Sequence, residues 1–296
     1  MSGTTIEGVA LDHVAHAVSR WQDVWYRYAV DLGAEWNSGG PGPGFAPGQL
    51  RFGNAARIEV LMPNDAHVND FLQRFLVASG PGPHHLTFKV PDLSEAIDKS
   101  RAAGYSPIGI NRTDPEWMEA FLHPKAATGV VVQVAEAPSA WTSPAPDDYP
   151  TARRQRDDGS GPVPAASFRR VVHAVAEMEV AADLFVGLLG ADVVGEGVRP
   201  DHRWMELRWA GPLRLRLVTP LAGHPAAPLQ RWLSGRTGRI HHLEFEALES
   251  ETIPGLVRGD VTSLGLDGEA PSEPFWVIPA EDNHGLALMV SDVPKR

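Results

Sequence analysis

Four polar side chains interrupt segments that otherwise read as apolar strands. His13 and His85 each lie in such a segment, and Glu59 and Gln133 follow them by 46 residues (13 to 59) and 48 residues (85 to 133). A carboxylate inside a sheet is costly unless a positive charge meets it. Two imidazoles, a carboxylate and an amide oxygen suit a borderline divalent cation. The spacing therefore predicts a metal site at these four residues.

Other interpretations exist for each residue taken alone. A lone strand histidine is more often a hydrogen-bonded core residue, and Glu59 by itself would suit an edge strand facing solvent. His16 and His84 have the opposite strand phase, so we expect packing, solvent or supporting roles for them. His123 precedes a proline, which favours a turn, and we exclude it from the site. The matched spacing favours the joint metal hypothesis.

The histidine-bearing strands belong to an internal repeat. Four similar segments align at positions 13, 85, 170 and 242, and the steps from 13 to 85 and from 170 to 242 are both 72 residues. A fixed step of this kind indicates repeated structural units. Within each unit, hydrophobic periodicity predicts a strand, a helix and then two or three strands. We therefore expect an α+β fold with four βαβββ modules in two pairs.

Several local elements follow from the same patterns. We expect a helix at 21–32, and the Gly/Pro-rich stretch 39–48 is typical of a mobile loop that could act as a lid. In the fourth unit the pattern predicts a helix at 250–257 and a strand at 261–266.

The stretch 137–165 has the composition of a linker, with many Pro, Ser, Gly and Asp residues and no apolar period. We place a first domain with the metal site at 1–136 and a second domain at 166–296. In the second domain, the positions of the four predicted ligands hold Arg170, Arg216, His242 and Met289. Arginine cannot bind a cation because its guanidinium has no lone pair to give. The second domain is thus expected to keep the framework without a metal site, as support or as part of a pocket.

Composition limits the function classes. The 296 residues carry a formal net charge of −11, which argues against nucleic acid or an anionic membrane as main partner. The absence of cysteine excludes disulfides, thiolate ligands and cysteine nucleophiles. No apolar run approaches the roughly 18 residues of a membrane span, and the N-terminus lacks a secretory signal pattern. We expect a cytoplasmic enzyme or binding protein with a small-molecule partner.

The same motifs resemble the vicinal oxygen chelate superfamily, which includes glyoxalase I, bleomycin-resistance proteins and extradiol dioxygenases. The segments that carry the resemblance are LDHVA at 11–15, RIEVLMP at 57–63, PHHLTFKV at 83–90, and FLHPK at 121–125 followed by GVVVQ at 129–133. It covers residues 8–136 well and 166–292 weakly. The N-terminal half is most similar to methylmalonyl-CoA epimerase-type members.

The resemblance implies paired βαβββ modules whose sheet curls around a metal-bearing cup. It places the ligands on first and last strands, which maps onto His13, Glu59, His85 and Gln133. It also implies one divalent ion (zinc, nickel, cobalt, manganese or iron) and a metal-stabilised enolate. Epimerase-like members have a glutamate where this chain has Gln133, which cannot accept a proton. Either Glu59 takes over the base role or the reaction differs.

The leading functional hypothesis is a metal-dependent glyoxalase- or epimerase-like enzyme, an isomerase or lyase, acting on a small substrate with adjacent oxygens. One alternative is a non-haem Fe(II) extradiol-type dioxygenase, although those enzymes typically carry the metal in the C-terminal pair. Another is a metal-free binding protein of the bleomycin-resistance type. Candidate pocket residues are Phe45, Trp117, Phe121 and Lys125, and both a homodimer and an internal pseudo-dimer are compatible with the repeat.

Overall fold

The N-terminal half forms one eight-stranded sheet with three short helices. The computed structural model describes residues 3–137, 141–221, 228–259, 266 and 274–293. The strands of the first sheet are β1 (Ala10–Ala17), β2 (Glu35–Gly39), β3 (Gly44–Arg51), β4 (Arg57–Asn64), β5 (Gly82–Lys89), β6 (Ile108–Asn111), β7 (Met118–Leu122) and β8 (Val131–Glu136). The helices are α1 (Gln22–Trp25), which continues as a π-helix (Tyr26–Asp31), α2 (Phe71–Ser79) and α3 (Leu93–Ala102).

The C-terminal half repeats this arrangement. Its strands are β9 (Ser167–Val175), β10 (Asp192–Val198), β11 (His202–Arg208), β12 (Arg214–Pro220), β13 (Gly238–Ala247), β14 (Val257–Arg258), β15 (Phe275–Ile278) and β16 (Ala287–Asp292). Helix α4 (Met178–Ala182) continues as a π-helix (Asp183–Leu188), and α5 (Pro228–Leu233) follows β12.

The two sheets have the same topology. Their strand orders are β2-β3-β4-β1-β5-β8-β7-β6 and β10-β11-β12-β9-β13-β16-β15-β14. In each sheet the first strands of two modules are antiparallel neighbours at the centre, and each is parallel to the last strand of its own module. The prediction of an α+β fold made of four modules in two pairs is confirmed.

Local sequence explains the helices at the module centres. Asp92 caps α3, because its side chain accepts a hydrogen bond from the Glu95 amide at 2.9 Å. Gly104 follows that helix with φ of +89°, a conformation that glycine adopts without steric cost. The helix predicted at 21–32 is present as α1 and its π continuation, and it buries Trp25 and Tyr28 against the sheet.

The prediction of a mobile loop at 39–48 is wrong for residues 44–48, and only residues 40–43 connect β2 and β3 outside a strand. Strand β3 begins halfway through that stretch and pairs with β4 over its full length, from Gly44 opposite Asn64 to Arg51 opposite Arg57. Glycine and proline are poor local strand formers, but β3 lies between β2 and β4, where ladder hydrogen bonds and burial of alternate residues outweigh the local preference.

The helix predicted at 250–257 is also wrong. Only a single 3₁₀ turn (Ser250–Thr252) forms there, and the predicted helix end lies in β14. The strand predicted at 261–266 lies outside the described residues except for Leu266, which is buried.

The two halves share one hydrophobic core. Phe52 from the first half packs against Phe168 and Phe245 from the second, with ring centroids 5.7 and 5.1 Å away. Phe88 packs against Phe185 at 6.0 Å in the same way. The halves therefore bury apolar surface against each other, and the domain boundaries at 137 and 165 stay a prediction.

The linker also packs onto the N-terminal half. The ring of Tyr149 contacts Trp25 and Trp36, with centroid distances of 5.3 and 5.7 Å, and its hydroxyl donates to the Ala34 carbonyl at 2.9 Å. The described part of the linker contains no helix and no named strand, as its composition predicted, but the Tyr149 side chain still contributes to packing.

Two buried histidines join the halves in a pseudo-symmetric way. His16 Nε2 lies 2.9 Å from the carbonyl of His284, and His173 Nε2 lies 3.0 Å from the carbonyl of Thr128. Each pair links one sheet to the other. In each pair a ring N–H donates to a backbone carbonyl of the other half.

Within the described residues, no helix is long and apolar enough to cross a membrane.

Close backbone approach at this junction predicts a large effect of Gly285→Ala. Gly285 has φ of +83°, and an added Cβ would lie 2.0 Å from the Pro81 carbonyl oxygen. Gly235 is a matched control, because its φ is +77° and its added Cβ would meet nothing within 4 Å. We expect Gly235→Ala to cost about 1 kcal/mol and Gly285→Ala at least about 2 kcal/mol more, measured by denaturant unfolding. Equal losses would contradict the close approach.

Stability should fall in mild acid. Burial lowers the pKa of both His16 and His173 to about 4, despite hydrogen bonds to carbonyls that favour the protonated ring. Above pH 6.5 both rings are neutral in the folded and unfolded chain. As the pH falls from 6.5 to 4 only the unfolded chain gains these protons, so the free energy of unfolding decreases by up to about 3 kcal/mol per histidine.

The test is urea unfolding across this pH range. The double variant His16→Gln/His173→Gln should lose part of the pH dependence, whereas His67→Gln, at an exposed position, should keep it. An unchanged pH dependence in the double variant would refute the assignment.

Candidate metal centre

The four predicted ligands lie on four strands that are neighbours in the first sheet. Glu59 is on β4, His13 on β1, His85 on β5 and Gln133 on β8, which are neighbours in that order at the centre of the first sheet. Their exposed fractions are 7%, 0%, 5% and 6%. The parallel and antiparallel pairings of β1 bring strands that are distant in sequence next to each other.

Three of these side chains converge. His13 Nε2 lies 3.6 Å from Glu59 Oε1, and His85 Nε2 lies 3.5 Å from Glu59 Oε2. One potential ligand atom from each of the three residues lies within 4.8 Å of the others, and the described residues contain no other such group of His, Cys, Asp or Glu. His85 Nε2 is buried and has no hydrogen-bond partner among the described residues.

Gln133 joins the cluster through hydrogen bonds. The Thr87 hydroxyl donates to Gln133 Oε1 at 2.5 Å and lies 2.9 Å from His13 Nε2. On its other side, Gln133 Nε2 donates to Glu119 Oε2 at 2.5 Å. The amide is therefore held between a hydroxyl and a carboxylate at the edge of the cluster.

Sequence reasoning missed Thr87 and Glu119. Thr87 lies two residues after His85, so the strand period already places both on one face. Glu119 lies two residues from Phe121, which is paired with Gln133, so the same period applies across the β7–β8 ladder. Once the strand pairing is known, the alternation of side chains along each strand places Thr87 and Glu119 on the same face as the predicted ligands.

Asp12 fixes the orientation of His13. Its Oδ2 accepts from His13 Nδ1 at 2.8 Å, and its Oδ1 lies 2.7 Å from Arg57 Nη2 and 3.6 Å from Lys89 Nζ. Burial alone would raise the pKa of Asp12, but the hydrogen bond to His13 and the nearby charges lower it to about 2. A carboxylate on Nδ1 leaves Nε2 directed at Glu59, which is the arrangement common behind metal-ligating histidines.

The two imidazoles differ in their affinity for protons. Burial lowers the pKa of His13, but the charge of Glu59 and the contact with Asp12 outweigh it and raise this pKa to about 9. Burial and the adjacent rings of His84 and His13 hold the pKa of His85 well below its usual range. His85 is thus a neutral imidazole with a lone pair at physiological pH.

The excluded histidines have other surroundings. His16 lies at the junction of the halves and also contacts the hydroxyl of Tyr28, 2.9 Å away. His84 Nδ1 lies 2.9 Å from His85 Nδ1, and its ring packs on Phe75. His123 is exposed on a turn.

The four predicted pocket residues are spread over the cup and its rim. The Trp117 ring stacks on His13 with centroids 6.4 Å apart, and Lys89 Nζ lies 5.8 Å from the Trp117 ring. Phe121 is half-buried opposite Gln133 in the ladder. Phe45 packs on Phe71 of α2, with centroids 5.6 Å apart, and Lys125 is exposed on the turn after β7.

The second sheet confirms the predicted correspondence of positions. Arg170 pairs with Arg214 as His13 pairs with Arg57, and Glu244 pairs with Met289 as Thr87 pairs with Gln133. The cup of this sheet is occupied by ion pairs, of which the closest join Arg170 to Glu244 and Arg216 to Glu206.

The proton affinity of His13 offers a direct test of this geometry. In EDTA-treated protein, NMR titration should give a pKa of about 9 for His13, because Glu59 stabilises the charged ring. Glu59→Gln should lower that value by at least about one pH unit. Glu95→Gln, on the exposed face of α3, should leave it unchanged. An unchanged titration in Glu59→Gln would mean that the two side chains do not meet.

The comparisons with solved structures identify the fold. A triple mutant of 4-hydroxymandelate synthase from Streptomyces coelicolor is 11% identical, with 97% of this chain and 93% of that chain covered and a TM-score of 0.62. A hypothetical protein from Staphylococcus aureus is 8% identical, with 96% and 100% covered and a TM-score of 0.56. Methylmalonyl-CoA epimerase from Mycobacterium tuberculosis is 27% identical over 47% of this chain and 94% of its own, with a TM-score of 0.41.

Sequence comparison gives the family. No curated protein matches the chain. The profile of the glyoxalase-like domain family matches residues 11–189, which is more than half of the chain and includes all four predicted ligands. Together with the two sheets of paired modules, this match shows that the chain belongs to the glyoxalase-like domain family of the vicinal oxygen chelate superfamily.

Proposed function

We propose that this protein is a metal-dependent enzyme of the glyoxalase or epimerase kind. Its substrate would be a small molecule with adjacent oxygen atoms, and the reaction would move a proton at the carbon next to a carbonyl. The observation that carries the proposal is the convergence of His13, Glu59 and His85, whose potential ligand atoms lie within 4.8 Å of one another.

The residues present fit a divalent ion. His85 Nε2 is buried without a hydrogen-bond partner among the described residues, which is costly unless something binds it. Two imidazoles and a carboxylate suit zinc, nickel, cobalt, manganese or iron. Asp12 holds the His13 ring by its other nitrogen. In this proposal His13, Glu59 and His85 hold the ion, with Gln133 as the fourth ligand.

Ligation by Gln133 requires a local exchange of hydrogen bonds. Its carbonyl oxygen now accepts from the Thr87 hydroxyl, and that hydroxyl also contacts His13 Nε2. Rotation of the hydroxyl would free the Gln133 oxygen without moving a strand, and His13 would give up its Nε2 proton to bind the ion. Glu119 would continue to hold the amide nitrogen of Gln133 and thereby orient its oxygen.

The bound ion would polarise a substrate carbonyl and acidify the neighbouring C–H bond. In the proposal, Glu59 accepts that proton at a carboxylate oxygen and returns it. Glu59 is suited to this task because it is nearly buried and lies between both imidazoles. The Trp117 ring covers His13 and helps to keep water from the reacting atoms.

The dioxygenase alternative rests on the same three residues. Two histidines and one carboxylate are also the ligand set of non-haem Fe(II) oxygenases. The metal-free binding protein of the bleomycin-resistance type is a further alternative, and it requires no ion at these residues.

Metal content is the first test. Purified protein loaded with zinc, nickel, cobalt, manganese or iron should hold one ion per chain by elemental analysis. Glu59→Gln and His85→Ala should lose most of it, because each removes a ligand. His123→Ala should keep it, because that ring is exposed outside the cluster. A wild-type chain that binds none of the five metals would refute the proposal and favour the metal-free binding protein.

Proton transfer is the second test. Incubation in deuterated water with a panel of small 2-hydroxy ketones and 2-methyl thioesters should exchange the hydrogen next to the carbonyl of one compound, as followed by NMR. Glu59→Gln should slow this exchange by about 10²-fold or more. Oxygen uptake with a catechol after anaerobic iron loading, without any exchange, would instead favour the dioxygenase.

A further inference from the structure

The C-terminal cup replaces the metal-ligand set with arginines. Arg170 occupies the register position of His13, and Arg216 occupies that of Glu59. Arg214 lies at the position of Arg57, and Arg169 directly precedes Arg170 on β9. A site with these side chains repels cations and attracts anions.

A cavity opens onto three of these arginines, Arg169, Arg170 and Arg214. Its volume is about 210 Å³, and its lining includes Arg169, Arg170, Arg214, Glu244 and Met289. This volume is below the roughly 300–1,000 Å³ of pockets for drug-sized ligands. A ligand bound there must therefore be small.

The charges of the cup do not cancel. The guanidinium groups are those of Arg169, Arg170, Arg214 and Arg216, and the carboxylates are those of Glu206, Glu244 and Glu246. Four positive and three negative groups leave a surplus of one positive charge, in a chain whose net charge is −11. The carboxylates of Glu206 and Glu244 are fully ionised at neutral pH, because neighbouring arginines lower the pKa of each to about 2 despite burial.

The ion pairs also leave hydrogen-bonding capacity unused. Arg170 directs its terminal nitrogens at Glu244 and Glu206, but its Nε is buried and has no hydrogen-bond partner among the described residues. Arg169 and Glu246 form a looser pair, with Nε and Oε1 3.6 Å apart. A buried N–H without an acceptor is costly, and an anion in the cavity would supply one.

We propose that the C-terminal cup is a binding site for a small oxyanion, a carboxylate or a phosphate, held by Arg170 and Arg214. Guanidinium groups bind carboxylates and phosphates alike, so both chemistries suit the site. Arg170 would offer its Nε, because its terminal nitrogens already pair with Glu244 and Glu206. Met289 adds an apolar wall, which would accommodate a short carbon chain next to the charged group. This site is separate from the proposed metal centre and does not depend on it.

The test uses the full chain, treated with EDTA so that the proposed metal centre cannot bind anions through an ion. Isothermal titration calorimetry with inorganic phosphate and with propionate, at an ionic strength fixed with chloride, should detect one site per chain for at least one of them. The two titrants distinguish a phosphate site from a carboxylate site. Glu59→Gln should bind the same anion equally well, since it alters only the N-terminal cup.

Arg214→Gln and Arg203→Gln form a matched pair of variants. The two side chains are 44% and 43% exposed, but Arg203 pairs with Glu179 outside the cavity. We expect Arg214→Gln to weaken binding at least about tenfold, which corresponds to one guanidinium–anion contact, while Arg203→Gln binds as wild type. Circular dichroism would check that both variants are folded. No binding of either anion, or equal weakening by the two variants, would overturn the proposal.

Discussion

A carboxylate buried between two imidazoles determines which side chains must surround the centre of the N-terminal sheet. Glu59 lies within 3.6 Å of both His13 and His85 at the centre of an eight-stranded sheet. The cost of burying such a group is met only by positive charge and hydrogen bonds. Asp12 and Thr87 complete the surroundings by holding the ring of His13, so the cluster is built as a unit rather than from independent residues.

In the C-terminal half the same arrangement of strands carries arginines where the N-terminal half carries a histidine and a glutamate. Arg170 replaces an imidazole, Arg216 a carboxylate and Met289 an amide, so of the four predicted ligand types only the imidazole, as His242, is present at its register position. The carboxylates of this half lie at other positions, where Glu206 and Glu244 form ion pairs with the arginines. The backbone ladder does not depend on which charge occupies the cup, and this independence explains how one fold supports two different cups.

The two halves pack against each other through both apolar and polar contacts. Phe52 stacks within an aromatic cluster from the other half, and His16 and His173 bridge the sheets to backbone carbonyls. Neutral imidazoles suit this place, because a charged ring without a counter-ion would be costly in the same core. Protonation of either ring is therefore unfavourable in the folded chain, in line with the lowered pKa of both histidines.

The sequence determined the repeat, the fold class and the equivalence of positions between repeats. These follow from the alternation of side chains along each strand and from spacing, which can be read without knowing how the strands pair. The equivalence of positions 13 and 170, and with it the contrast between a histidine cup and an arginine cup, follows from residue types and spacing alone. The remaining contacts depended on the order of the strands in the sheet. Residues 44–48 became a strand because two neighbours supply its hydrogen bonds, and Glu119 met Gln133 only because β7 and β8 are adjacent. Such contacts depend on pairing across the sheet, which no single segment encodes.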